Sequence, residues 1–245
     1  MEKTGLPKKK DNFDPLEKLK IGAEAPGLSG PSKIAGFSQR IFSIIKFVLG
    51  ICLLPLVYSS TVSFLNEFLA VEKTLQNYFW AGVISLLIIY LFIWEPNKIY
   101  VKGQKLLEII FAFFKPLIRV APYVLPIYTI ILFALYGPLS LIFSAKGGSA
   151  SGGKSDVLIN YFIFLFGFSI ALHLIFSAKS IRSKQGDFLK SNYIFGFSLV
   201  YAINLTLLAF ILSLIFQKFS FVNFCNISFQ TAKAIFEAVF KQLFL

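Results

Sequence analysis

Residues 148–155, Gly-Ser-Ala-Ser-Gly-Gly-Lys-Ser, fit the phosphate-binding pattern G-x-x-x-x-G-K-[ST] letter for letter. In a working P-loop the backbone N–H groups cradle phosphates, the lysine reaches the outer phosphates and the last hydroxyl holds Mg²⁺. That chemistry needs a buried strand before the loop, a helix on a parallel sheet after it, and an acidic partner for the metal. Here Gly148 to Ser155 joins two long apolar runs, which leaves no room for a sheet. The stretch therefore reads as a Gly/Ser connector that binds no nucleotide, and Lys154→Ala is expected to be silent.

His173 is the one histidine of the chain and falls inside an apolar run, where an ionisable side chain is a functional candidate by default. No Asp or Glu falls inside an expected span to pair with it, so the expectation is a neutral imidazole hydrogen-bonded to a neighbouring helix. Lys46, about two turns into the first apolar run, can extend its ammonium back to the interface. Asn204, midway along the last run, must find a partner on another helix because lipid offers none. Around it Ser198, Ala202, Thr206 and Ala209 recur at helical spacing, as do Gly167 and Ala171 in the preceding run. Small residues in such ridges let helix backbones approach where no hydrophobic effect draws helices together, so these positions are expected to pack.

Other chemistry lacks its residues. Cys52 and Cys225 are too few and too scattered for a disulfide framework or a zinc site. No nucleophile–base pair, paired carboxylates or metal cluster can be assembled, so no catalytic residue, metal or cofactor is assigned and the chain is read as a non-enzyme.

The elements that must position these residues are membrane spans. The chain has 245 residues, 56% of them hydrophobic and 30 of them phenylalanine, with a mean hydropathy of +0.73. A water-soluble domain cannot bury that much apolar surface. About 20 apolar residues carry a helix across the hydrocarbon core, and five segments meet that test: 41–60, 78–94, 120–143, 157–177 and 193–216. The second has aromatic rings at both ends, as interfaces prefer. The third contains Pro122, Pro126 and Pro138, so a kinked, broken or re-entrant segment is expected. The fold class is all-α: a polytopic helical membrane protein of about five spans with interfacial amphipathic helices.

Three regions follow: a basic tail over 1–39, with a short helix near Asp14, a five-span domain over 40–222, and an amphipathic C-terminal helix over 223–245. The net charge of +12 is explained by topology rather than by nucleic acid, because the basic residues flank apolar runs instead of sharing one face. With the N-terminus inside, seventeen Lys and Arg fall on cytoplasmic segments and six on the other side, which puts the C-terminus outside. The membrane expected is a bacterial cytoplasmic membrane, with an organelle membrane as the alternative. Leu106 to Phe114 is expected along the cytoplasmic interface. The C-terminal segment, with Lys233, Glu237 and Lys241 on its polar side, is expected along the opposite one. The sequons at Asn204 and Asn226 read as chance matches.

The stretch Leu135-Tyr136-Gly137-Pro138-Leu139, with a loop ending Phe188-Leu189-Lys190-Ser191 before an apolar run, resembles segments of the Yip1 family of five-span membrane-trafficking proteins. The family motif precedes the first span, whereas two spans come earlier here, so the resemblance implies no functional residues. The function expected is that of a non-catalytic membrane scaffold or accessory subunit, partnered by the bilayer and other membrane subunits and by neither nucleic acid nor nucleotide. A transporter or channel component is the alternative, and a trafficking role the third.

Overall fold

The computed structural model describes residues 33–146, 152–183 and 192–244. The short helix expected near Asp14, residues 148–151 of the P-loop match and the loop residues 188–191 lie outside them. The bundle described here lies within residues 42–245.

All regular structure among the described residues is helical: α1 Lys33–Leu69, α2 Lys73–Ile88 with a π-helical turn Ile89–Ile93 at its end, α3 Asn97–Ile110, α4 Lys115–Val124, α5 Ile127–Lys146, α6 Gly152–Ser183, α7 Tyr193–Ile215 and α8 Phe221–Phe244. Four stretches are long and apolar enough to cross a membrane: Ile41–Leu69, Lys73–Ile93, Val157–Arg182 and Tyr193–Ile215. Ile127–Ile142 is a shorter apolar helix. An all-α polytopic membrane protein is what these helices build.

Two expected boundaries move. Helix α1 begins at Lys33 and continues to Leu69, so the first span does not stop at residue 60 and its last turn contains Glu67. The third span is not one helix. Pro126 has no N–H to give the Pro122 carbonyl, and a residue before proline is pushed out of the helical region. Leu125 is accordingly extended, with φ −94° and ψ 125°, and the segment divides into α4 and α5.

Neighbouring contacts fix the relative directions of the helices. Phe79 and Gly82 of α2 meet the stretch of α6 between Phe164 and Phe168. Further along, the Tyr90 ring lies 5.8 Å from Phe176, and Glu95 pairs with Lys179. Thus α2 and α6 run parallel, which requires an odd number of crossings between them. The broken segment α4–α5 supplies it: α5 runs antiparallel to α6, with Thr129 against Ser169 at 2.8 Å and Tyr136 against Phe162 at 5.4 Å. At 20 residues, α5 is about 30 Å long, one hydrocarbon core.

Lipid tails are as apolar as leucine, so shape rather than hydrophobicity holds such helices together. The closest crossing joins α2 and α6 through two glycines. A Cβ on Gly82 would stand 2.0 Å from the Phe164 carbonyl oxygen, and one on Gly167 would stand 2.1 Å from that of Phe79. Above this crossing Phe64, Phe68, Phe79, Phe166 and Phe224 form a buried aromatic core, with Phe68 edge-on to Phe79 at 5.1 Å. The connection after α7 is pinned by Glu67. Its buried carboxylate accepts the Ser220 backbone N–H at 3.0 Å and the Asn223 side-chain amide. A carboxylate at the start of α8 is favoured by the unpaired N–H groups and dipole of that helix end.

Candidate functional site

Breaking a helix inside a bilayer leaves carbonyls that need donors, and the break between α4 and α5 has gathered the interior polar side chains around itself. In a continuous helix the Pro122 and Tyr123 carbonyls would serve residues 126 and 127. Proline 126 has no N–H, and the Ile127 N–H goes to the Leu125 oxygen at 3.0 Å. Side chains from three other helices take over. Gln104 of α3 donates to Pro122 O at 3.5 Å, Ser177 of α6 donates to Tyr123 O at 3.0 Å, and Asn204 of α7 donates to Val124 O at 2.8 Å.

A second tier orders the first. The Tyr100 hydroxyl on α3 meets Ser177 Oγ at 3.0 Å and accepts from Gln104 Nε2 at 3.1 Å. His173 stands one turn before Ser177, is 5% exposed, and places Nε2 3.3 Å from the serine oxygen. Burial pushes the Tyr100 phenol up to about 12, opposed by the Ser177 hydrogen bond.

Ser177 and His173 form the one hydroxyl–imidazole pair here that resembles nucleophile and base. A serine hydroxyl has one proton, and the Tyr123 carbonyl can only accept, so that proton is committed to the backbone. The imidazole and the Tyr100 hydroxyl meet the serine's lone pairs instead. A catalytic serine hands its proton to the base, and a third group orients that base; the carboxylates nearest this belt in chain order, Glu95 and Glu108, are not among its partners.

The residues singled out from sequence fall in different settings. His173 and Asn204 both belong to the belt around the break, and Asn204 is 0% exposed. Gly167 lies in the α2 crossing, and Ala171, Ser198, Ala202 and Ala209 are buried. Thr206 departs from its ridge: it is exposed, its hydroxyl turns back to Ala202 O at 2.8 Å, and it borders an apolar groove between α1 and α7. Lys46 is buried with its ammonium 4.4 Å from the Phe42 ring centroid, one turn nearer the helix start. Gly152 to Ser155 of the P-loop match form the first turn of α6, and the element before them is the helix α5 rather than a strand. Asn226 of the second sequon lies within α8.

Sequence reasoning missed Tyr100, Gln104 and Ser177, which look like ordinary interfacial or packing residues one at a time. It also missed Gly82, the other half of the glycine crossing, and Glu67, which fell beyond the expected end of the first span. The signal for Gln104 and Ser177 was Pro126: asking which groups serve the carbonyls left by a broken helix would have called for donors beside Asn204.

No protein-family model, no curated protein and no solved structure matches the chain. Function is therefore read from geometry.

Proposed function

We propose that the chain is a non-catalytic membrane subunit that packs with other membrane proteins, with its N-terminus and basic loops in the cytoplasm. The observation that carries this reading is the use made of the interior polar groups. Gln104, Ser177 and Asn204 are spent on the backbone of the broken segment, and Tyr100 and His173 hold those donors in place. Such a belt stiffens a bundle rather than opening a route through it. Helix α1 adds support. The most apolar window of its span is 11% buried, against 50% for α6 and 44% for α7, so α1 keeps most of its surface for lipid or for the helices of a partner.

The experiment is purification from native membranes in mild detergent followed by mass spectrometry of the intact particle. Stoichiometric membrane-protein partners are expected. Solute flux by the purified chain alone in liposomes would overturn the proposal.

That flux is what the second reading, a transporter component, predicts. It is favoured by one atom: Asn204 Oδ1 is buried and has no partner, beside the end of a discontinuous helix of the kind that lines transport sites.

A further inference from the structure

A cavity of about 220 Å³ lies between α1, α2, α6 and α7. Thr61 and Phe64 of α1, Phe79 and Trp80 of α2, Ala171 of α6 and Leu205 of α7 are among its walls. Its position follows from chain register. Thr61 lies eight residues before the end of α1 and Phe79 six residues after the start of α2, which puts the cavity roughly 9–12 Å below that face of the bundle. The hydrocarbon half-core is about 15 Å deep. Leu65 and Trp80, lining residues that remain 40% and 41% exposed, stand at its mouth. The fluid outside that mouth is lipid.

We infer that this cavity holds one acyl chain of a membrane lipid from the leaflet on the Glu67 side. The hydroxyls on its wall already have partners: Thr61 Oγ1 donates to Val57 O at 2.7 Å and meets the Tyr201 hydroxyl at 3.1 Å. A trapped water needs two to four polar partners, which the wall does not offer. A helix is about 10–12 Å across and cannot enter, whereas a single extended hydrocarbon chain fits. Close-packed protein leaves few voids of this size, and the aromatic faces of Phe64, Phe79 and Trp80 give methylenes flat surfaces to contact. The inference is independent of the subunit reading.

Trp80 is a built-in reporter, held edge-on by Phe68 at 6.4 Å and Phe79 at 5.4 Å, and the chain has two tryptophans. The full chain carrying Trp94→Phe is reconstituted in phosphatidylcholine vesicles containing lipids brominated midway along the acyl chain. Trp80 emission is expected to be quenched at lower brominated fractions than Trp94 emission in a Trp80→Phe chain. Ala171→Phe fills the cavity from α6 and should relieve the excess quenching. Leu174→Phe does so from another position on that helix, should the first variant fail to fold. Excess quenching that persists in a folded filled variant, quenching equal to that of Trp94, or quenching by aqueous iodide instead would each overturn the inference.

Discussion

Asn204 gives its amide protons to two carbonyls, Val124 O and Val200 O, both at 2.8 Å. One of these ties α7 to the broken segment. Asn204→Ala would strand the Val124 carbonyl away from water, and a stranded buried acceptor costs about 1–3 kcal/mol. Reversible unfolding in detergent is expected to register that loss, while Leu214→Ala on the exposed side of α7 changes stability by roughly 0.5 kcal/mol or less. Tyr100 gives a prediction in pH. Its folded phenol titrates near 12 because it is buried, whereas an unfolded tyrosine titrates near 10. Below pH 10 both states hold the proton and the residue adds no pH dependence. Between about 10 and 12 the unfolded chain releases it first, so stability falls as pH rises, by roughly 2–3 kcal/mol across the window. Tyr100→Phe should remove that alkaline component from a series of thermal melts.

At the scale of elements, the proline-broken segment was legible in Pro122 and Pro126, and the four helices long and apolar enough to cross a membrane were legible in the apolar runs. What sequence could not give was the pairing between helices, because periodicity marks a face without naming its neighbour. His173 and Asn204 stood out as isolated polar residues, yet their shared task depends on α3, α4, α6 and α7 meeting. The ridge on α7 illustrates the same limit: Ala202 and Thr206 have packing-type spacing, but the close backbone approach occurs at Gly82 and Gly167 on other helices. Gly82→Leu should therefore force α2 and α6 apart. Overpacking of this kind costs about 1–3 kcal/mol and more where backbone must shift, whereas Ala202→Leu has the α7 groove to enter and should cost less. Denaturation of the two variants side by side checks the order. Glu67 makes the link between α1 and α8, and Glu67→Ala should cost about 1–3 kcal/mol through the loss of two hydrogen bonds to a charged acceptor. Hydrogen exchange is expected to rise first at Ser220 and Asn223.

For the whole molecule, the proposed topology requires the broken segment to cross the membrane. The parallel run of α2 and α6 demands it, and the carbonyl-serving belt explains how a discontinuous helix is tolerated there. The basic residues that flank the apolar runs independently favour opposite faces for the two ends of that segment. Single cysteines at Lys98 and Ser151, in a chain lacking Cys52 and Cys225, test this most directly with a membrane-impermeant thiol reagent. Lys98→Cys is expected to label from the cytoplasmic face alone and Ser151→Cys from the opposite face alone. Labelling of both from one face would make α4–α5 a re-entrant loop and overturn the five-crossing topology.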